Sequence, residues 1–168
     1  QGVAGIAHAV GALVIADNVF ATPIFSRAVE QGADVVVYSA TKHIDGQGRV
    51  LGGVVCGTRE WVRKVLEPYM KHTGGSLSPF NAWVLLNGMA TMDLRCRAMA
   101  DSAIEVAKAL ESQEKVARVI YPGLPSHPQH GLAMADGVGG DAGGVRPEGR
   151  QGGRVPVHER AGNYQDFQ

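Results

Sequence analysis

Short apolar runs recur along the chain and predict its strands. Continuous runs cover residues 12–16 (ALVIA), 35–38 (VVVY) and 54–56 (VVC), and residues 116–121 form a further strand-like segment closed by a Pro-Gly pair. Apolar runs of this length are typical of strands that are buried on both faces. We therefore expect 12–16 and 35–38 to lie inside a sheet.

Helical periodicity fills most of the chain between these runs. Residues 3–10 predict the end of a helix, and residues 26–31 predict a short second one. Residues 59–70 alternate apolar and charged positions at helical spacing, and residues 79–110 are mostly helical, most clearly over 93–110. Strands that alternate with helices predict an α/β fold with a mainly parallel sheet.

Composition and charge exclude several function classes. The formal net charge of the 168 residues is zero, which favours neither nucleic acid nor an anionic membrane surface as a partner. No apolar run is long enough to span a bilayer, and no secretory signal opens the sequence. Cys56 and Cys96 form no CxxC pair, and we interpret both as buried thiols. A cytoplasmic protein is expected.

Polar side chains follow two of the predicted strands at the point where each strand ends. Asp17 comes directly after the first apolar run, and Ser39, Thr41 and Lys42 come directly after the second. Ligands of parallel α/β sheets bind beyond the carboxyl ends of the strands. An amine, a carboxylate and two hydroxyls at one edge are also what pyridoxal 5'-phosphate (PLP) requires. Lysine binds its aldehyde, an acid pairs with the ring nitrogen, and donors bind the phosphate.

These residues alone leave other interpretations open. An isolated lysine in a loop is usually a solvated surface charge, and an aspartate after a strand is often a turn residue. An aspartate in this position also holds magnesium in P-loop NTPases, but the sequence contains no G-x-x-x-x-G-K-[ST] loop. The glycines at 46 and 48 lack the third glycine of a dinucleotide-binding loop.

Four longer segments carry a resemblance to a known family. Residues 12–25 (ALVIADNVFATPIF), 33–53 (ADVVVYSATKHIDGQGRVLGG), 73–95 and 121–130 closely resemble the Cys/Met-metabolism (transsulfuration) family of PLP-dependent enzymes. The S-A-T-K element is specific to the family, and the H-I-D-G-Q-G-R that follows is most similar to O-succinylhomoserine sulfhydrylases. The resemblance implies fold type I, the aspartate-aminotransferase-like fold.

The resemblance also implies a role for each matching residue. Lys42 would be the catalytic Schiff-base lysine, and Asp17 would pair with the pyridine nitrogen of PLP. Ser39 and Thr41 would bind the phosphate. Asn18 and Phe20 lie in the loop after Asp17 and are possible pocket residues. No metal is expected.

The implied reaction is γ-replacement in methionine biosynthesis. O-succinylhomoserine or O-acetylhomoserine would react with sulfide to give homocysteine. Cystathionine γ-synthase or γ-lyase activity is the alternative within the family, with cysteine as the other sulfur partner. An inactive truncated product without catalysis is the alternative of another class. The parent enzyme would be a homo-oligomer.

The resemblance predicts a domain organisation and a fragment. Residues 1–112 would be part of the PLP-binding large domain, and 113–135 would begin the small C-terminal domain. Residues 136–168 are rich in Gly and Arg and lack periodicity, so we expect a disordered tail. A back-translation read one base later permits strand and helix patterning there, which suggests a reading-frame error. The remaining phosphate ligands and the ring-stacking aromatic would lie upstream, and the arginine for the substrate carboxylate downstream.

Other polar residues receive structural interpretations. His127 and His130 have the spacing of metal ligands, but Pro128 lies between them and no third ligand joins them. Arg95 and Arg97 lie on a long predicted helix and could reach an interface or the active site, but charged residues in such a helix more often form its solvated face.

Overall fold

The structure is a computed structural model that describes residues 2–135 and two short strands beyond them, Gly144–Pro147 and Val155–Pro156. The chain divides into two compact units, Gln1–Arg95 and Cys96–Gln168. The predicted domain boundary at 112/113 lies within the second unit and stays a prediction.

The first unit contains a three-stranded sheet. Its strands are β1 (Ile15–Asp17), β2 (Val35–Ser39) and β3 (Gly53–Gly57), in the order β1-β2-β3. β1 is parallel to β2, with Asp17 opposite Val37, whereas β3 is antiparallel to β2. The expectation of a mainly parallel sheet therefore holds for one of these two pairings, because the chain between β2 and β3 turns back without a crossover helix.

β2 is the buried strand of this sheet, whereas β1 and β3 are largely exposed. Cys96 is buried as expected, but Cys56 in β3 is exposed. Val35 and Val36 are 2% and 1% exposed, as predicted. Leu13 and Ile15 are 59% and 63% exposed, so the prediction that 12–16 is buried on both faces is wrong for the described chain. The reason is topological, because β1 lies at the edge of the described sheet.

Two short helices flank the first two strands. α1 (Gly2–Ala9) ends before Gly11, whose φ of +72° allows the left-handed turn, as predicted. α2 (Thr22–Phe25) replaces the helix expected at 26–31, which forms turns instead. Pro23 in its first turn favours this earlier start.

A longer helical stretch follows β3. It comprises α3 (Arg59–Trp61), a wide π-type turn (Val62–Leu66) and α4 (Glu67–Thr73), and it confirms the helix predicted over 59–70. The Thr58 hydroxyl caps its start by accepting the Trp61 N–H at 3.2 Å, and Gly74 ends it in the left-handed conformation.

Two helices cover the region predicted to be helical over 79–110. α5 (Pro79–Met89) begins after Ser78, whose hydroxyl accepts the Asn81 N–H at 3.1 Å. α6 (Met92–Glu111) follows after a short turn. Val84, Leu85 and Gly88 form the buried side of α5.

The second unit has its own small sheet and core. β4 (Val116–Ile120) pairs antiparallel with β5 (Gly144–Pro147), which pairs with β6 (Val155–Pro156). The buried core contains Ala107, Val119, Tyr121 and Leu124. α7 (His130–Ala135) precedes β5. Apart from the backbone of β5 and β6, the predicted tail at 136–168 lies outside the described residues. Among the helices described, none is long and apolar enough to cross a membrane.

Candidate cofactor site

The carboxyl ends of β1 and β2 meet at one edge of the first sheet. Asp17 is the last residue of β1 and pairs in register with Val37 of β2, and Ser39 is the last residue of β2. Two residues along a strand correspond to about 7 Å, so Asp17 and Ser39 lie near one another at this edge. The Asp17 side chain is exposed, and one of its oxygens accepts the Val19 N–H at 3.2 Å.

Lys42 lies in a wide helical turn that begins directly after β2. The turn covers Ala40–Ile44, and at Lys42 the backbone leaves helical geometry with φ −85° and ψ −113°. Ala40, His43 and Ile44 are buried while Lys42 is exposed. Within residues 2–135, no hydrogen bond or ion pair engages the Lys42 amine. The turn is therefore held by its buried residues and leaves the amine accessible.

The two hydroxyls at this edge differ in their surroundings. The Thr41 hydroxyl accepts the N–H of Gly52 at 3.1 Å, which ties the lysine turn to the strand leading into β3. The Ala40 N–H also donates to the Gly52 carbonyl, at 2.8 Å. Ser39 is half-buried, and its hydroxyl has no hydrogen-bond partner among residues 2–135. Thr41 thus has a structural contact, whereas Ser39 has a hydroxyl available for a ligand.

Asn18 organises the loop that follows Asp17. Its side chain is buried, and its amide donates to the carbonyls of Thr22 at 3.3 Å and Ser26 at 2.8 Å and to the Tyr38 hydroxyl at 3.2 Å. These bonds tie the loop to β2. They also stabilise the turn at Thr22, whose φ of +58° is unfavourable for a β-branched residue.

The segment after Lys42 is held by a buried ion pair. The Asp45 carboxylate is fully buried, and it accepts the Arg49 N–H at 2.6 Å and the Arg49 Nε at 2.9 Å. Burial by itself raises the pKa of the Asp45 carboxyl, but the hydrogen bonds and charge of Arg49 outweigh burial and hold the pKa below its ordinary value.

Arg95, which lies much later in the sequence on α6, contacts the same segment. Its guanidinium donates to the carbonyls of His43 at 2.9 Å and Ile44 at 3.4 Å. The sequence pattern favoured a solvated helix face for Arg95 over a position that reaches an interface or the active site. The threonine four residues before Arg95 predicts only the contact between Arg95 and Thr91. No sequence pattern identifies the His43 and Ile44 carbonyls, which lie about fifty residues away, as its acceptors.

The remaining candidate residues lie on exposed segments or in the second unit. Phe20 is 46% exposed in the loop after β1, and the 73–78 segment is exposed throughout. His130 Nδ1 lies 2.9 Å from the Pro122 carbonyl oxygen. Within the described part of the chain, no cluster of three or more His, Cys, Asp or Glu residues could hold a metal ion.

Comparison with known proteins identifies the family. The model of the Cys/Met metabolism PLP-dependent enzyme family matches residues 1–142. The chain belongs to this family. The fold-type-I prediction is confirmed with it, since the chain superposes on cystathionine γ-synthase of Xanthomonas oryzae pv. oryzae, crystallised with aminoacrylate and cysteine. That match has a TM-score of 0.83 and 34% identity, covering 89% of this chain and 39% of the synthase.

Relatives within the family differ in their reactions. An O-succinylhomoserine sulfhydrylase of Mycobacterium tuberculosis is 51% identical over 135 residues, which are 80% of this chain and 33% of that protein. A canavanine γ-lyase of Pseudomonas canavaninivorans is 46% identical over 134 residues, 80% of this chain and 34% of the lyase. The chain therefore spans about a third of the length of the curated relatives it matches.

The residues at the sheet edge fit the cofactor that defines the family. PLP needs an amine, an acid for its ring nitrogen and donors for its phosphate. Lys42, Asp17 and Ser39 supply these groups at one edge, and neither the Lys42 amine nor the Ser39 hydroxyl is engaged by another group among residues 2–135. The donor set therefore agrees with PLP.

Proposed function

We propose that Lys42 is the residue that binds PLP covalently in a transsulfuration enzyme. The observation that carries this proposal is the placement of the unengaged Lys42 amine directly beyond β2, at the sheet edge where β1 ends in Asp17. Ligand sites of open α/β sheets lie at such edges.

Each residue has a defined task in this proposal. The Asp17 carboxylate accepts a hydrogen bond from the protonated ring nitrogen, and the Ser39 hydroxyl donates to the phosphate. Thr41 would turn its hydroxyl hydrogen from the Gly52 carbonyl, to which it donates at 3.5 Å, toward the phosphate, while its oxygen keeps the Gly52 N–H contact. PLP, when bound, withdraws electrons from the α-carbon of an amino acid. Asn18 positions the loop beside Asp17, and Phe20 borders the pocket.

The proposed reaction is γ-replacement on an O-activated homoserine. The substrate amine would displace Lys42 from the cofactor, and the freed Lys42 amine would then take the proton from Cα of the substrate and move protons at Cβ, which would allow the acyl carboxylate to leave from Cγ. Sulfide then forms the new bond at Cγ and gives homocysteine. The sulfhydrylase relative and the H-I-D-G-Q-G-R segment at 43–49 support O-succinylhomoserine and sulfide as substrates, with O-acetylhomoserine as the other activated form.

Related reactions have support from other relatives. The synthase structure crystallised with cysteine favours cystathionine γ-synthase chemistry as the second candidate, and the canavanine γ-lyase favours γ-elimination. The enzyme would act in the cytoplasm as a homo-oligomer.

Reductive trapping tests the cofactor proposal. The purified chain is mixed with PLP, its visible absorbance is recorded, and borohydride makes any lysine attachment permanent before peptide mapping. We expect the label on Lys42 and its loss in Lys42→Arg. Lys115→Ala is the matched control, since Lys115 is an exposed lysine in the other unit. A folded chain labelled at random lysines, or not at all, would contradict the proposal.

Product analysis tests the reaction separately from cofactor binding. The PLP-loaded protein is given O-succinylhomoserine with sulfide or with cysteine. Homocysteine formed from sulfide supports the sulfhydrylase assignment, cystathionine formed from cysteine supports the synthase, and 2-oxobutyrate formed without a sulfur donor supports a γ-lyase. Cofactor binding without any product supports the inactive truncated chain.

A further inference from the structure

Arg95 makes four hydrogen bonds that converge on one guanidinium. Two reach the carbonyls of His43 and Ile44, one reaches the Gly88 carbonyl at 2.7 Å, and Nε donates to the Thr91 hydroxyl at 3.1 Å. The first two acceptors follow Lys42 in the sequence, and the other two belong to the end of α5 and the turn after it. The guanidinium therefore joins the lysine turn to the helical part of the same unit.

The acceptors explain why an arginine is needed. The last carbonyls of a helical turn point away from it without internal donors. The lysine turn is only five residues long, so its final carbonyls, those of His43 and Ile44, require donors from elsewhere. A guanidinium presents several N–H groups in a fixed plane, whereas a lysine ammonium is a single flexible point.

Two glycines allow the close contacts around the Arg95 guanidinium and the lysine turn. Gly46 has a φ of +76°, and a Cβ built there would overlap Arg95. Gly88 approaches the same segment, and a Cβ there would lie 2.4 Å from the Ile44 carbonyl oxygen. Arg95 and the two glycines thus fix the chain immediately after Lys42.

We propose that Arg95 is a positioning residue for Lys42. By holding the carbonyls of the next two residues, it fixes the exit of the backbone from the lysine turn and hence the direction of the Lys42 side chain. The inference rests on the proposed cofactor role of Lys42, but the geometry it describes exists in the chain without PLP.

Hydrogen–deuterium exchange without PLP tests the positioning directly. In the 168-residue chain, Arg95→Ala should raise amide exchange in the 40–49 segment about tenfold, with little change elsewhere. Guanidinium ion at millimolar concentration, well below denaturing levels, should restore the protection. Arg59→Ala is the control, because Arg59 is an exposed arginine at the start of α3.

Trapping kinetics give the second readout. Arg95→Ala should slow covalent labelling of Lys42 by PLP about tenfold, with recovery in guanidinium. If circular dichroism shows that Arg95→Ala is unfolded, Arg95→Lys takes its place and should show the same local defect in smaller degree.

Unchanged exchange at 40–49, or a uniform rise across the chain without guanidinium rescue, would overturn the proposal. Absence of Lys42 labelling in the wild type counts against the cofactor site alone, and the exchange result still decides the role of Arg95.

Discussion

The Asp45 carboxylate and the Arg49 guanidinium form an ion pair in which one partner is fully buried and the other is partly in solvent. The side chains are 0% and 41% exposed, and the distance from Arg49 Nη2 to Asp45 Oδ1 is 2.9 Å. Because this pair begins three residues after Lys42, the segment that follows Lys42 contains a buried charge that the Arg49 guanidinium compensates, and the backbone N–H groups of Gln47 and Arg49 also donate to it. Removing one partner of such a pair costs more than the pair itself contributes.

Arg49→Ala should therefore destabilise the chain in a pH-dependent way. We expect a loss of about 2 kcal/mol in the free energy of unfolding at neutral pH, because a buried carboxylate loses its charged donor. In the wild type the pKa of Asp45 is lowered, so its stabilising contribution is complete above about pH 4 and is lost as the pH falls through the folded pKa. Denaturant unfolding at several pH values measures both effects.

The variant should show a weaker pH dependence. Arg49→Ala removes the side-chain hydrogen bond and the charge that lower the pKa of Asp45, while the backbone N–H groups of residues 47 and 49 remain, so the pKa rises and less stability is lost as the pH falls. Arg63→Ala is the matched control, since Arg63 pairs with Glu67 at the same i,i+4 spacing but on an exposed helix surface. Equal effects of the two substitutions would show that the burial of Asp45 is unimportant.

Gly88→Ala should push α5 away from the lysine turn. The new methyl group would lie 2.4 Å from the Ile44 carbonyl oxygen and 2.9 Å from that of Asp45. We expect a loss of about 1–3 kcal/mol in unfolding free energy, with weaker PLP labelling of Lys42. Gly5→Ala is the control, because a Cβ there meets no atom within 4 Å, and stability should hold or rise. Thermal unfolding that ranks the two variants equally would refute the close contact.

Asn18→Ala should loosen the loop after Asp17. The substitution removes the donor to the Thr22 and Ser26 carbonyls and to the Tyr38 hydroxyl, which costs about 1–3 kcal/mol for buried polar groups. Denaturant unfolding gives the cost, and amide exchange at 18–26 locates it. Asn87→Ala provides the comparison, since among the described residues the Asn87 amide bonds only to the Trp83 carbonyl of its own helix, on an exposed face. Similar losses in both variants would contradict a special role for Asn18.

Substitutions of Ser39 and Thr41 should have different effects on PLP affinity and on the stability of the fold. Ser39→Ala removes a hydroxyl without a partner among residues 2–135, so we expect unchanged stability and about tenfold weaker PLP binding. Thr41→Val removes the acceptor of the Gly52 N–H and should lower stability by about 1 kcal/mol, whereas Thr41→Ser should retain it. PLP titration and thermal unfolding of the three variants measure the two properties. A stability loss in Ser39→Ala would assign that hydroxyl a structural contact.

The sequence by itself determined the strand ends and the chemistry placed at them. β2, β3, the 59–73 helical stretch and the two long helices follow from apolar runs, capping residues and periodicity, which are local properties. Asp17, Ser39, Thr41 and Lys42 were candidates because they follow those runs, the family resemblance made them predicted site residues, and the family match covers all four positions. Their roles toward PLP stay predictions.

Only the tertiary structure decided which residues hold the site together. β1 proved exposed because burial depends on what lies beside a strand, and the 26–31 helix proved to be turns because Pro23 begins a helix earlier. Arg95 reaches the lysine turn across about fifty residues, and Asp45 is buried by the fold around it. No local pattern encodes such contacts. The same residue at the same position of a helix faces solvent in one fold and a backbone carbonyl in another, because segments far away in the chain decide what packs beside it.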